Sequence, residues 1–336
     1  MRTIVLLRAL LLLVVGAPKT LPSLLMQHEG DFIGEIPTMA DDECPVRYRR
    51  PGARFGPRGI RSGSWRIKPE SAWSVYTGEN VFKSGAKIVD CGDVPMTWLD
   101  NTVALRQLET AHNIVVGRKP VSERLSSIPR VITLGGDHTT TLSALRAAFK
   151  RWGKFSVIHF DAHIDTWEPN VLGGDISDYA GLNHGTFLHI AHEEGLISNT
   201  SIHAGIRGAL TRPTEDSKND LRCGFASITA RALDRLGIDG VVEQLKGRVG
   251  DSNVYISVDI DVLDPAFAPA TGTAEPGGWT TRELLSIIDS LAGLKVIGAD
   301  VVEVAPVYDN VGETTSLTAA EIVQSLLYLM LKSPFS

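Results

Sequence analysis

The sequence contains little cysteine and no concentration of positive charge. Its 336 residues include only three cysteines, which lie far apart at Cys44, Cys91 and Cys223. That spacing excludes both a disulfide framework and a CxxC metal clip. The 33 Lys and Arg residues are outnumbered by 39 Asp and Glu residues, giving a net charge of -6. This acidic balance excludes a general nucleic-acid-binding surface, which would need clustered excess basic residues.

Apolar runs long enough to cross a membrane are also absent. Ala9–Val15 is an unbroken apolar run of about seven residues, whereas a bilayer requires about 20. Arg2 and Arg8 flank this leading segment, and the small residues Gly16 and Ala17 follow it. This pattern predicts a secretory signal peptide over residues 1–17 and therefore a secreted protein. The alternative is an ordinary N-terminal helix or a non-native start, with the protein in the cytoplasm.

From residue 86 onward, short β-branched apolar runs alternate with amphipathic segments. The predicted strands are Lys87–Asp90, Val131–Leu134, Phe155–Phe160, Ser201–Gly205, Val254–Val258 and Val296–Val304. The predicted helices are Trp98–Val116, Thr139–Arg151, Thr186–Glu194, Ala230–Lys246, Thr281–Ala292 and Leu317–Leu331. This alternation predicts an α/β fold with three α-β-α layers around a mostly parallel sheet.

One domain accounts for the whole region from residue 51 to residue 333, and residues 18–50 form an irregular segment before it. Glycines, prolines and arginines are interleaved over Arg47–Arg66. This composition predicts an irregular loop that leads into a short helix. The loop is either a solvated basic surface or a flap over a site.

Three polar clusters each follow a predicted strand. They are Gly135-Gly136-Asp137-His138, Asp161-Ala162-His163-Ile164-Asp165 and Asp259-Ile260-Asp261. Parallel sheets place their ligand sites at the carboxyl ends of strands, and residues i and i+2 project to the same side. We therefore expect the carboxylates and imidazoles to converge, where they would repel one another without cations.

Each cluster alone has a structural explanation, such as helix capping or turn formation, but the three together indicate a centre for two divalent ions. Carboxylates suit Mn and Mg, and two histidines shift the preference away from Mg and Ca. Mn(II) fits best, with Ni(II), Co(II) and Zn(II) left open. A two-metal centre of this kind performs hydrolysis.

The strings GGDH, DAHID and SVDIDVLDPAFAPATGTAEPGG resemble the signatures of the ureohydrolase family, and agmatinases in particular. The resemblance runs from about Arg50 to Leu331. It implies an arginase-like fold, two Mn²⁺ ions per subunit and hydrolysis of a small guanidino compound to urea and an amine. It also implies a homo-oligomer, a trimer or hexamer.

The resemblance further implies the role of each site residue. One manganese would be bound by His138, Asp161, Asp165 and Asp259, and the other by Asp161, His163, Asp259 and Asp261. Asp161 and Asp259 would then bridge the ions. Among the catalytic residues, Asp165 would pass a proton to the leaving amine, His184 would relay protons to solvent, and Glu303 would bind the guanidinium group.

The substrate follows less directly. Thr166–Leu182 lacks the polar residues with which arginases bind the amino-acid end of arginine, and the TGTAEPGG segment favours agmatine, giving putrescine. Guanidinobutyrate or another guanidino compound is an alternative. Two further hypotheses are an impaired family member that serves as a binding or assembly subunit, and a single-zinc deacetylase on a related fold.

The N-terminal region departs from the family pattern. Relatives usually have an apolar strand shortly before the segment that corresponds to Arg50–Pro57, but Asp41–Arg49 shows no strand pattern here. We therefore expect the first strand of the family sheet to be missing and residues 1 to about 45 to be poorly packed.

Overall fold

The computed structural model describes residues 50–97, 100–120, 126–172 and 181–332. Within these ranges, six strands form one sheet in the order β1-β6-β5-β2-β3-β4, and every pair of neighbours is parallel. The strands are β1 (Val131–Leu134), β2 (Ser156–Phe160), β3 (Ser201–Ile206), β4 (Phe225–Thr229), β5 (Asn253–Asp259) and β6 (Lys295–Val302). The predicted parallel sheet is therefore confirmed.

Helices cover both faces of the sheet. They are α1 (Gly56–Ser64), α2 (Asn101–Val116), α3 (Thr140–Trp152), α4 (Phe187–Glu193), α5 (Pro213–Arg222), α6 (Ala232–Val249), α7 (Thr281–Ser290) and α8 (Thr314–Lys332). Alternate residues of β2 point to opposite layers: Ile158 and Phe160 pack in one apolar core with α6, α7 and α8, and Val157 packs in another with α3 and α4. The three-layer α-β-α architecture is confirmed.

Local sequence signals set several helix ends. Thr280 caps α7 by accepting a hydrogen bond from the N–H of Glu283, whose side chain in turn accepts from the N–H of Thr280. At the other end of a helix, Gly153 follows α3 with φ of 70°, a conformation that favours glycine. These are the start and stop signals visible in the sequence.

Two parts of the sequence-based prediction differ from the structure. Lys87–Asp90 is irregular rather than a strand, because Asp90 is used to pair with the buried Arg61, 3.0 Å between Nη2 and Oδ1. Helix α5 and strand β4 were not predicted. Strand β4 is the edge strand next to β3, α5 directly precedes it in the chain, and neither contains a long apolar run.

The predictions for the N-terminus, namely the signal peptide over 1–17, the irregular segment up to residue 49 and the missing first strand, lie outside the described residues. Among the described residues, β1 is paired only with β6. None of the helices in the described ranges is both long and apolar enough to span a bilayer.

Candidate metal centre

The imidazole of His138 lies among three carboxylates at the carboxyl ends of β1, β2 and β5. Its Nδ1 is 3.3 Å from Oδ2 of Asp161, 3.1 Å from Oδ2 of Asp165 and 3.2 Å from Oδ2 of Asp259. All four side chains are buried. The structure thus brings together the four residues that the sequence assigned to one ion.

A second group forms around His163, whose Nδ1 is 3.3 Å from Oδ1 of Asp161 and 3.0 Å from Oδ2 of Asp261. The two groups meet at Asp161, which turns Oδ2 toward the first and Oδ1 toward the second, an arrangement that suits a bridging carboxylate. Asp259 offers Oδ2 to the first group, while its Oδ1 accepts a hydrogen bond of 2.8 Å from the N–H of Asp261. All six side chains predicted as metal ligands therefore lie in one continuous cluster.

The donor atoms fit divalent cations. Nδ1 of His138 and Oδ2 of Asp161 are buried without a hydrogen-bond partner, which is costly unless another group, such as a cation, satisfies them. In addition, ligand atoms bound at about 2.1–2.2 Å in octahedral geometry are about 3.1 Å apart. The separations of 3.1–3.3 Å around His138 Nδ1 match that spacing.

The electrostatics of the cluster also favour positive charge. Burial, assisted by the charge of Asp161, raises the pKa of Asp165 to about 6. Burial and the charges of Asp261 and Asp161 raise the pKa of Asp259 well above its usual range. For His138, burial would lower the pKa, but the carboxylates of Asp161, Asp165 and Asp259 beside its ring raise it well above its usual value. Without cations, the cluster therefore retains protons.

A buried hydrogen-bond chain orients His138 from behind. Its Nε2 lies 2.8 Å from Oγ of Ser257, and that hydroxyl donates to Oδ1 of Asp300 at 2.7 Å. The other carboxylate oxygen of Asp300 accepts hydrogen bonds from Thr141 and Tyr255, both at 2.8 Å. Because Nε2 is engaged here, the ring presents Nδ1 to the carboxylates.

The sequence analysis missed His159. This residue is the second-to-last of β2, lies two positions before Asp161, is fully buried, and has Nε2 at 3.0 Å from Oδ2 of Asp161. Its Nε2 also lacks a hydrogen-bond partner. Together with His138, Asp161 and Asp165 it forms a group with metal-binding spacing. The signal was available, because residues 159, 161 and 163 alternate on one side of an extended chain.

Two of the predicted catalytic residues have unusual backbone conformations. Asp165 has φ of 51° and Glu303 has φ of 59°, in the left-handed region where a non-glycine residue costs about 1–3 kcal/mol. Glu303 is held there by two hydrogen bonds: its N–H donates to the carbonyl of Gly136 at 2.8 Å, and its Oε1 accepts from the N–H of His138 at 2.7 Å. Strain of this kind concentrates at functional sites.

His184 is half-buried in the turn that precedes α4. Two hydrogen bonds tie this turn to the segment after the second cluster: Trp167 N–H to Gly185 O at 3.1 Å, and Leu188 N–H to Asp165 O at 3.2 Å. Among the described residues, His184 makes no ion pair with the carboxylates of the cluster. Its role as a proton relay remains a prediction.

The start of the arginine-rich loop lies against the same edge of the sheet. The N–H of Arg50 donates to the carbonyl of Gly272 at 3.1 Å, and its guanidinium donates to the carbonyls of Pro269 and Thr271 at 3.0 and 2.8 Å. The carbonyl of Ala53 would lie 3.3 Å from a Cβ added at Gly136. Of the two interpretations of this loop, a cover over the site is the one that these contacts favour.

Comparison with known proteins identifies the class. Residues 43–328 match the Arginase family. Putative agmatinase 1 of Schizosaccharomyces pombe is 51% identical over 294 residues, which cover 85% of this chain and 74% of the relative. The structure of proclavaminate amidinohydrolase from Streptomyces clavuligerus is similar with a TM-score of 0.73 and 36% identity, covering 85% of this chain and 88% of that chain.

Agmatinase of Neisseria meningitidis serogroup C is 38% identical over 281 residues, covering 83% of this chain and 82% of the relative. A hypothetical agmatinase from Burkholderia thailandensis has a similar structure, with a TM-score of 0.72 and 34% identity over 84% of this chain and 81% of that chain. The chain therefore belongs to the Arginase family. It is a hydrolase of guanidino carbon–nitrogen bonds, as the resemblance in the sequence implied.

Proposed function

We propose that this enzyme binds two Mn²⁺ ions and hydrolyses agmatine to putrescine and urea. The observation that carries the proposal is the pair of donor groups that meet on the two oxygens of Asp161, next to the carboxylate of Glu303. Relatives with names that include agmatinase support the choice of substrate. Guanidinobutyrate, or a related guanidino compound, is the alternative.

In this proposal, one set of residues holds the metal ions and another residue binds the guanidinium group. The groups around His138 and His163 would each hold one ion. When bound, such a pair supplies a water nucleophile that is active at neutral pH and stabilises the charge of the transition state. The carboxylate of Glu303 pairs with the planar guanidinium of the substrate and sets the carbon that is attacked.

Proton transfer completes the reaction. The oxygen of water bonds to the guanidinium carbon, the bond between that carbon and the nitrogen that carries the alkyl chain breaks, and this leaving nitrogen takes up a proton while urea is released. Asp165 is placed to pass that proton, because its carboxyl belongs to the donor group around His138 and so lies beside the reacting atoms. His184 exchanges protons between this region and solvent.

The proposal is tested by urea release from Mn-equilibrated protein supplied with agmatine, 4-guanidinobutyrate or arginine, each in parallel with a metal analysis. We expect agmatine to be preferred and two manganese ions per chain. Glu303→Gln keeps an acceptor for the N–H of His138 but removes the charge that pairs with the substrate, so kcat/KM should fall by at least about 100-fold with metal content unchanged.

Two outcomes would contradict the proposal. Urea release only from another guanidino compound would replace agmatine as the substrate. Two bound ions without urea release from any of the compounds would favour the impaired binding subunit instead.

We also propose that the enzyme is a secreted homo-oligomer, a trimer or hexamer. The family resemblance supports assembly, and the pattern over residues 1–17 supports export. Light scattering of the purified protein tests the first, and a monomer would refute it. N-terminal sequencing of protein recovered from the culture medium tests the second, since export predicts a chain that begins near residue 18.

A further inference from the structure

A chain of buried polar side chains runs from the metal centre to helix α5. Nδ1 of His159 lies 2.8 Å from Nδ1 of His203, and Nε2 of His203 lies 2.9 Å from Oδ1 of Asp220. At its other end, Nε2 of His159 faces Oδ2 of Asp161 at 3.0 Å. Both imidazoles are fully buried and Asp220 is 7% exposed. None of the proposed catalytic steps uses His203 or Asp220.

Strand register brings the two histidines together. His159 on β2 and His203 on β3 are direct partners in the parallel ladder, so their side chains project from neighbouring positions into the same layer. Two polar rings at such a position are expensive to bury unless their nitrogen atoms are satisfied. Asp220 is the hydrogen-bond partner of Nε2 of His203, and Nδ1 of His203 is in turn the partner of Nδ1 of His159.

The carboxylate of Asp220 lies on a buried polar face of helix α5. The one leucine of this helix, Leu221, is 69% exposed, whereas Asp216, Asn219 and Asp220 are buried. These three positions follow the i, i+3, i+4 spacing of one helix face. The helix therefore packs against the domain through polar side chains, the reverse of the usual amphipathic arrangement.

The same face holds the backbone that follows Asp165. Oδ1 of Asp220 accepts a second hydrogen bond, of 2.7 Å, from Oγ of Thr166, and the side-chain amide of Asn219 donates to the carbonyl of Thr166 at 2.5 Å. Since Asp165 has a left-handed backbone with φ of 51°, its neighbour must be held if that conformation is to persist. Oδ1 of Asp220 therefore contacts both His203, which leads to Asp161, and Thr166, which follows Asp165.

Resting on the proposed function, we propose that Asp220 and His203 are positioning residues for the first metal ion. Through His203 and His159, Asp220 fixes the surroundings of Oδ2 of Asp161, and through Thr166 it fixes the backbone of Asp165. Among the described residues, His163 and Asp261 of the second donor group make no hydrogen bond or ion pair with His159, His203 or Asp220, and that group meets the chain only at Asp161. The support therefore acts most directly on the first ion, because it reaches both Oδ2 of Asp161 and the backbone beside Asp165.

Stepwise Mn²⁺ binding to the metal-free protein tests this inference, measured by titration calorimetry and by the electron paramagnetic resonance signal of free Mn²⁺. Asp220→Asn and His203→Phe should weaken one of the two binding steps by about 10–100-fold and leave the other within about threefold. Asp220→Glu, which keeps the charge, should restore part of the lost affinity. Thermal unfolding of each metal-free variant reports on the fold separately.

Asp216→Asn is the matched control. Asp216 is buried on the same helix face, but it accepts hydrogen bonds from Trp167 Nε1 at 3.2 Å and from the N–H of Arg212 at 2.7 Å rather than from His203. This variant should lose stability while keeping both binding steps. Unchanged Mn²⁺ binding in Asp220→Asn, or an equal loss of both steps in Asp220→Asn and Asp216→Asn, would overturn the inference.

The two proposals fail in different ways. If the wild-type protein releases urea from agmatine and Asp220→Asn binds both ions normally, the positioning role is refuted and the proposed function stands. If the wild-type protein binds two ions without hydrolysing a guanidino compound, and Asp220→Asn loses one of them, the positioning role stands and the proposed function is refuted.

Discussion

Gly208 allows His163 to take its place in the second donor group. A Cβ added at Gly208 would lie 2.6 Å from Cδ2 of His163 and 3.2 Å from the carbonyl oxygen of Ala162. Carbon atoms in favourable contact are about 3.5–4.0 Å apart. The imidazole in Gly208→Ala must therefore move by about 1 Å, since the Ala162 carbonyl at 3.2 Å also limits how far the added methyl group can shift.

Metal sites tolerate displacements of about 0.2 Å in ligand distance, several times less than this shift. We therefore expect Gly208→Ala to weaken binding of the ion held by His163 by about 10–100-fold, the range found when the orientation of a ligand is disturbed. The ion held by His138 should remain. Urea release should fall in proportion to the fraction of protein that carries both ions.

Stepwise Mn²⁺ titration, combined with circular dichroism to check the fold, measures this effect. Gly247→Ala is the control, because an added Cβ at Gly247 within α6 meets no atom within 4 Å. It should keep both binding steps and gain up to about 1 kcal/mol in unfolding free energy. Two wild-type affinities in Gly208→Ala would refute the assignment of His163 as a ligand.

Three further predictions concern titratable groups. Burial lowers the pKa of His112 from 6.5 to about 4, so the folded protein loses stability as the pH falls below 6.5. In the wild type this contributes about 2 kcal/mol to the difference in unfolding free energy between pH 7.5 and pH 5. Denaturant unfolding should show that His112→Leu removes this contribution. The raised pKa of Asp165 makes its ionisation in the folded, metal-free protein unfavourable. Metal-free Asp165→Asn should therefore be more stable than the metal-free wild type by about 3 kcal/mol at pH 7.5, whereas the two stabilities should be nearly equal at pH 4. An equal gain at both pH values would contradict this. His184→Asn should lower kcat and flatten the pH profile near neutrality, and an unchanged profile would remove His184 from proton transfer.

Most of the candidate metal centre could be predicted because the residues proposed as ligands lie at the ends of strands that are buried on both faces. Val131–Leu134 and Val254–Val258 are mostly apolar runs, as is typical of parallel strands that are buried on both faces. Their ends are therefore visible in the sequence, and the polar residues next to them fall at one edge of the sheet. His159 was missed for the same reason, since it lies inside such a run and was read as part of the strand.

Helix α5 and strand β4 could not be found in this way. Hydrophobic periodicity detects a helix by its apolar face, but α5 buries Asp216, Asn219 and Asp220 and exposes Leu221. Strand β4 (Phe225–Thr229) is short and has only two buried apolar residues in five positions, so it gives no clear strand pattern. Lys87–Asp90 shows the opposite error, because a strand was predicted there and the structure has none. Its composition suits a strand, but Asp90 makes a tertiary ion pair with Arg61 that no local pattern reveals.

The order of strands in the sheet constrains how the protein is made. Among the described residues, β1 pairs only with β6, and β5 inserts between β2 and β6, although β1 is the first of these strands to leave the ribosome and β6 the last. His138 therefore cannot be set against Asp259 until nearly the whole chain has been synthesised. A nascent chain that stalls before Val302 therefore lacks the complete strand β6 that pairs with both β1 and β5. Such late, long-range pairing makes folding slow and leaves the growing chain dependent on protection from aggregation.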